Sequence, residues 1–409
     1  MSKLRKSSRV ASIIAVTGIA ALVLSGCSRA TPSPGITDTT LSLGISSPLS
    51  GATAGPGSCT VAGLDMYLKT QNAAGGFKFG DGKTRTVNLT ALDDVYDPAK
   101  AVANFNQLVN AGMFAYVGAL GTPTNAAIMP IANEQKVPQV LLVTGASKFS
   151  SDQKANPETI GLLPTYFDEG YTFGKLMAGA NKALTAAVLS QNDDYGKDYL
   201  AGFTEGIKGS QVTIAGTATY EPTDTTLDSQ VTKLAATKAN ALVSAVSVTP
   251  LQVGVLTKAQ SLGWLPSIFL PSNTNTPATI LVPGKADAYP GVYSTSLSKS
   301  NTAAATLNDP DVVAFNKAYT TYGQATAKVI TPHCAWSYAE GAILEQAFSK
   351  MTEPTRDSFM KALKSIKDYQ APMLLPGSIV NTTFDTKPAI QGLTMVKFNG
   401  TGYAPATTY

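Results

Sequence analysis

What most constrains the fold of this chain is the repeated alternation of short apolar, β-branched runs with segments of helical period. Thr40 to Ile45 precedes a helix around Val61 to Ala73, and Thr86 to Leu92 precedes Pro98 to Ala111. Phe114 to Gly118 is followed by Pro123 to Glu134 and then by Gln139 to Thr144. Later come Ala186 to Leu189 with Gly196 to Ile207, and Ala241 to Val246 with Pro250 to Leu262. Strand-then-helix repetition predicts parallel sheets covered by helices on their faces, an α/β class. Helix starts are marked where a capping side chain precedes proline, as at Asp97-Pro98 and Thr122-Pro123.

Ahead of this pattern the sequence has a different character. Lys3, Arg5, Lys6 and Arg9 introduce an uncharged apolar run from Val10 to Val23, which ends in Leu24-Ser25-Gly26-Cys27. The run is shorter than the ~20 residues that span a bilayer, and small residues stand before the cysteine. The segment therefore reads as a lipoprotein export signal over residues 1–26, with Cys27 as the lipidated first residue of the mature chain. An ordinary signal peptide with a coincidental cysteine, or a membrane anchor, is the competing reading. Two or more acyl chains on Cys27 are expected to hold the protein on the extracytoplasmic face of the cell membrane. Residues 27–40, rich in Ser, Thr and Pro, read as a flexible tether.

Four of the 31 basic residues lie in the signal and none of the 27 acidic ones does, so the mature chain is formally neutral. With no basic surplus there is no electrostatic footprint for nucleic acid. The remaining length exceeds what one core ordinarily holds, so two domains are expected.

In open α/β sheets a ligand lies beyond the carboxyl ends of the strands. The loop Ser46 to Gly57 there is rich in glycine, including Gly55, but contains neither G-x-G-x-x-G nor G-x-x-x-x-G-K-[ST], which argues against a nucleotide. No cofactor and no metal is expected. Catalysis is also disfavoured: the one histidine, His333, adjoins Cys334 in a pairing poorly suited to a dyad and reads as a surface or capping group. No G-x-S-x-G elbow is present. Asp93-Asp94 reads as capping or as solvation of a cleft rim. Trp264 reads as a contact beyond a helix end, and Trp336, a turn from Glu340, could face core or cleft.

Several motifs in order carry a resemblance. Leu43-Gly44-Ile45-Ser46-Ser47-Pro48-Leu49-Ser50-Gly51 is followed by Gly63-Leu64-Asp65-Met66-Tyr67, Asn72-Ala73-Ala74-Gly75-Gly76, Asp93-Asp94 and Asp97-Pro98. Val117-Gly118-Ala119-Leu120-Gly121-Thr122, Val137-Pro138 and Asp193-Asp194-Tyr195-Gly196 continue the series. Together they resemble the branched-chain amino-acid-binding receptors of ABC importers. The resemblance implies a two-lobed type I periplasmic binding protein, each lobe a mostly parallel sheet flanked by helices, with three crossover strands. Crossings are expected near Thr165, Tyr293 and Val380, which gives lobe one as 41–165 with 293–379 and lobe two as 166–292 with 380–409. It also implies a monomer that traps a small solute by lobe closure and delivers it to an ABC permease. A ligand-sensing receptor of the same fold is the alternative.

Residue by residue, the resemblance places a ligand carboxylate against Thr122 at a helix N-terminus and against the Gly145 to Ser147 loop, with Tyr195 as the cleft tyrosine of lobe two. Tyr166 and Ser272 fall where the family holds the ligand ammonium with two acids, and the segment Pro271 to Thr276, which includes the candidate ligand residue Asn273, contains no acid. Asp168 or Glu169 would substitute if the loop is displaced; otherwise the solute need not be an α-amino acid, and a small carboxylate, an aromatic acid or an amide fits, with Tyr166, Phe167 and Tyr195 as aromatic walls. Cys59 and Cys334, the remaining pair in an exported chain, open two helices of lobe one. They are either a disulfide or two thiols.

Overall fold

The structure is a computed structural model that describes residues 30–409, so the signal and Cys27 lie outside the described residues. The first lobe begins with β1 (Thr40–Ser47), α1 (Ala54–Ala73), β2 (Phe77–Lys78) and β3 (Thr84–Asp93). It continues with α2 (Pro98–Asn110), β4 (Ala115–Val117), α3 (Thr122–Glu134), β5 (Gln139–Leu142) and β6 (Thr159–Gly161). The strands form one sheet in the order β2-β3-β1-β4-β5-β6, parallel except for the β2–β3 hairpin. In the second lobe α4 (Tyr166–Ala178), β7 (Leu184–Gln191), α5 (Asp194–Ile207), β8 (Val212–Tyr220) and α6 (Asp228–Ala235) lead into β9 (Ala241–Ala245). α7 (Thr249–Ser261), β10 (Ser267–Phe269) and β11 (Val292–Ser296) complete that run.

The chain then returns to the first lobe as α8 (Pro310–Ala318), α9 (Pro332–Lys350), α10 (Arg356–Leu363), β12 (Ile379–Val380) and β13 (Ile390–Gln391). It ends in the second with β14 (Thr394–Phe398) and β15 (Tyr403–Pro405), giving the sheet order β15-β14-β11-β10-β9-β7-β8. The strand sequences follow from position in the sheet. β9, covered on both faces, is Ala-Leu-Val-Ser-Ala and buried throughout, whereas the edge strand β8 alternates.

Three expected boundaries move. The passage near Thr165 lies between β6 and α4, but Tyr293 is inside β11, paired with Phe269 and Lys397 of the second sheet. The second passage therefore follows Ser296, where Leu297 joins the first lobe's core. Val380 is no crossing either: it pairs with Ile390 in β13, whose N–H donates to the Leu162 carbonyl at 2.8 Å. The third passage thus lies between Gln391 and Thr394, because Thr383 to Pro388 turns the chain back on itself before it leaves. The tether also ends early. Ile36 is buried and bridges Leu41, and the Ser33 N–H donates to the Pro354 carbonyl at 2.9 Å, so residues from Ser33 onward pack on the first lobe.

α1 and α9 lie side by side in the first lobe, close enough that a Cβ on Gly63 would stand 2.3 Å from the Cys334 carbonyl oxygen. At that contact Cys59 and Cys334 are joined by a disulfide across a sequence separation of 275. Replacing both cysteines by serine is expected to lower unfolding free energy by about 2–5 kcal/mol, read from urea denaturation, with unchanged far-ultraviolet circular dichroism of the native state.

Candidate functional site

Parallel strands ending at one edge send each following helix away with its N-terminus left at that edge. Here the two sheets turn those edges toward each other, and the space between is a small cavity of about 20 Å3. Its lining samples six helix starts. Thr53 is the N-cap of α1, Thr122 the first residue of α3, Tyr166 the first of α4 and Tyr195 the second of α5. Ser247 precedes α7, and His333 is the second residue of α9. Each start turns the positive end of its dipole to this space, although the Tyr166 N–H is taken by the Gly145 carbonyl and the Gly196 N–H by Asp193, and Pro56, Pro123, Pro250 and Pro332 carry no N–H.

The side chains that complete the wall are Pro56, Tyr96, Leu120, Val143, Leu163 and Asn273, together with the backbone at Gly121. None of the lining residues is Asp, Glu, Lys or Arg. The cavity is therefore electroneutral in side chains and positive in backbone field.

Four of the expected site residues meet here: Thr122, Tyr166, Tyr195 and Asn273. The Thr122 hydroxyl is not a helix cap, since Gly121 holds the N-cap position; it shares a hydrogen bond of 2.8 Å with the Thr144 hydroxyl. Tyr166 packs edge-on to Tyr195 with centroids 4.6 Å apart, and the Tyr195 hydroxyl donates to Asn273 Oδ1 at 3.3 Å.

The other four do not line the cavity. Gly55 is exposed in the first turn of α1; the glycine of close approach is Gly57, where a Cβ would lie 1.9 Å from the Pro48 carbonyl oxygen. Gly145 is spent on the lobe junction, its carbonyl accepting the Tyr166 N–H at 2.7 Å. The Ser147 N–H reaches Asp198 Oδ2 on α5 at 2.7 Å, and Ser147 faces a separate groove beside Thr165 and Asp168. Ser272 turns both its N–H and its hydroxyl to Glu169, at 3.1 and 2.7 Å. Phe167 stacks on Tyr171 instead of walling the cavity.

Neither acid offered as an ammonium partner is free to act as one. Asp168 is exposed on α4 and accepts the Thr165 hydroxyl at 2.6 Å. Glu169 is buried and also accepts from Thr295 Oγ1 at 2.9 Å; burial pushes its pKa up against these hydrogen bonds. Its three donors tie α4 to the turn that carries Asn273 and to β11, so Glu169 is a support of the site.

The Asp93-Asp94 pair builds a turn. Asp93 accepts the Leu49 and Val95 N–H groups and the Ser50 hydroxyl, while Asp94 accepts the Ser46 hydroxyl and the Tyr96 N–H. Asp94 is buried, and that burial raises its pKa to about 6. This bonding holds Val95 and Tyr96 at φ of 47° and 64°, a left-handed pair that costs about 1–3 kcal/mol per residue. The strain aims Tyr96 across the lobe gap, where its hydroxyl meets Gln191 and Ser247. Sequence reasoning did not single out Tyr96; tandem acids before a Tyr-Asp-Pro helix start were the available signal.

His333 was also missed as a cavity residue. It is 3% exposed, its Nδ1 lies 3.1 Å from the Thr331 hydroxyl, and its ring tilts against Trp336 with centroids 4.7 Å apart. Burial lowers its pKa to about 3. Trp336 itself lies in the core, and Glu340, two turns along α9, is buried against Gly118.

Two parallel-sheet lobes joined by three passages, with one cavity at their facing edges, define the type I periplasmic binding protein architecture. The family model described as periplasmic binding protein matches residues 40–403, and the chain belongs to that family. It is similar to the leucine-, isoleucine-, valine-, threonine- and alanine-binding protein of Pseudomonas aeruginosa, 26% identical over 177 residues. That match covers 43% of this chain and 45% of the relative, so it spans under half of the curated relative's length. Among solved structures, a fatty acid ABC transporter substrate-binding protein from Thermomonospora curvata superposes with a TM-score of 0.78 at 21% identity, covering 92% of this chain and 95% of that one. A leucine-binding protein from Thermotoga maritima gives 0.72 at 14% identity over 90% and 97%. The proteins this chain resembles are binding proteins rather than enzymes.

A buried neutral imidazole binds fewer protons than its unfolded counterpart below about pH 6.5, so its contribution to stability is full above that pH and is lost as pH falls toward its native pKa. Relative to His333→Gln, the wild type is expected to lose about 1.4 kcal/mol per pH unit between about pH 6 and pH 4, measured by urea unfolding in matched buffers.

Proposed function

We propose that this protein is an extracytoplasmic solute receptor that closes its lobes on a small carboxylate or amide lacking an ammonium group and delivers it to a membrane ABC permease. The observation that carries the reading is the cavity wall: six helix N-termini and no acidic side chain. A carboxylate or an amide oxygen gains hydrogen bonds and a favourable dipole field there. An ammonium in the same place faces positive helix ends with no carboxylate to pair it, and a buried unpaired cation is costly.

The similarity to a fatty acid receptor fits a solute that has a carboxylate and no ammonium. The partial similarity to an α-amino-acid receptor of Pseudomonas aeruginosa favours a solute of the same overall size class. The cavity as it stands has room for about one water, so a branched-chain solute enters with the lobes swung apart and is sealed when they close. Binding shifts the lobes toward closure only by its greater affinity for the closed form. The protein acts as a monomer held at the membrane through Cys27, and no helix of the described residues is long and apolar enough to cross a membrane.

Thermal unfolding with leucine, 4-methyl-2-oxopentanoate and 4-methylpentanamide tests the reading, because the three probes share a side chain and differ in the ammonium. The keto acid and the amide are expected to raise the midpoint and leucine to leave it nearly unchanged. Thr122→Val is expected to weaken keto acid binding about tenfold, the worth of a hydrogen bond to a charged group. The largest shift from leucine would sink the proposal.

A further inference from the structure

We infer that His333 is a ligand-contacting residue of this cavity that takes up a proton when an anionic solute binds, so the receptor reads its solute's charge through its single imidazole. The inference rests on the reading of the cavity as a solute site. His333 is the chain's one histidine, and it stands in the cavity wall at the second position of α9. Its ring is fixed on two sides, by Thr331 at Nδ1 and by Trp336 against its face, which leaves Nε2 as the nitrogen for a solute. The disulfide from Cys59 to the adjoining Cys334 ties this helix start to α1, whose own start supplies Thr53 and Pro56 to the same wall.

Without a solute the imidazole is neutral, for two reasons that point the same way. It is buried, and it sits at the positive end of its own helix. The titratable groups that share its cavity are the phenols of Tyr96, Tyr166 and Tyr195, all pushed upward by burial and so uncharged throughout the neutral and acid range. Beyond the wall, Asp193 accepts from Gln191 Nε2 and the Gly196 N–H, and Glu169 from Ser272 and Thr295. Glu340 lies deeper along α9 and is raised by burial. Asp94, on the turn that carries Tyr96, titrates near 6 and is the group whose ionisation overlaps the window of interest.

A carboxylate brought within about 4–6 Å of the ring favours its charged form and raises an imidazole pKa by about 1–3. From a starting value of about 3 this places the liganded imidazole at about 4–6. Proton uptake then accompanies binding of an acid but not of an amide. Acid binding tightens as pH falls through that window.

The experiment uses 4-methyl-2-oxopentanoate, whose carboxylate stays ionised across the range, and 4-methylpentanamide as the neutral control. Calorimetry between about pH 7.5 and about pH 4.5 is expected to show the keto acid binding about fourfold more tightly at the acid end for a liganded imidazole at about 5, the middle of that range, with the amide changing less than twofold. His333→Gln retains Asp94 and is expected to abolish the keto acid's pH dependence. A readout that needs no variant is the single histidine Cε1–H resonance, recorded on protein without a polyhistidine tag. It is expected to stay put over that range in the free protein and to move with pH once the keto acid is bound. Keto acid binding that is insensitive to pH, a pH dependence retained in His333→Gln, or a resonance that titrates normally in the free protein would each overturn the proposal while leaving the cavity as the solute site. If neither probe binds the wild type, the site reading itself fails, and the proposal with it.

Discussion

Everything at the centre of this molecule depends on the convergence of helix N-termini at the edges of two parallel sheets. A parallel strand needs a crossover helix, and the right-handed connection fixes where that helix begins. Repeated through both lobes, this rule delivers the starts of α1 and α3 from one side and α5 and α7 from the other to a single cavity, where α4 enters at the first passage between lobes and α9 is placed by its contact with α1. The field there is set by backbone geometry and does not need a charged side chain. That is why Thr122, Tyr166, Tyr195, Ser247 and His333 line the cavity without a carboxylate, ammonium or guanidinium among them.

Around that centre, polar side chains are used mainly to hold loops. Glu169 binds the Asn273 turn to α4, Asp93 and Asp94 fold the Tyr96 turn onto the end of β1, and Ser147 is fastened to Asp198. Each places an acid behind the cavity wall with its lone pairs already taken by donors of the protein. Glu169, Asp93, Asp94 and Asp198 thus preorganise the site through these bonds. Tyr96 shows the energetic side of the same arrangement, since a left-handed pair at Val95 and Tyr96 persists only where surrounding hydrogen bonds over-determine it.

Much of the fold was legible in the sequence because strand and helix signals are local. The runs at β1, β3, β7 and β9, the Asp97-Pro98 helix start and the motif order all give the α/β architecture. The crossings after Ser296 and Gln391 were misplaced, since a short strand that turns back and a short strand that leaves for the other lobe look alike in one dimension. The site was only half legible for a related reason. Thr122 and Tyr195 sit at helix starts and Asn273 in a turn that a motif can locate, whereas Ser147, Ser272 and Gly145 lie in comparable segments after strands but aim their polar groups at Asp198, Glu169 and Tyr166. That choice belongs to tertiary packing. His333 carries no local signal at all: its place in the cavity follows from the α1–α9 contact, between segments more than 270 residues apart.

The most direct test of this account is a crystal structure of the protein grown with whichever of the three isobutyl probes gives the largest thermal shift. The account predicts a carboxylate or amide oxygen at the first turn of α3 beside Thr122, and no Asp or Glu oxygen within hydrogen-bonding distance of the solute. A bound leucine whose ammonium is paired with Glu169, Asp193 or another carboxylate would contradict it.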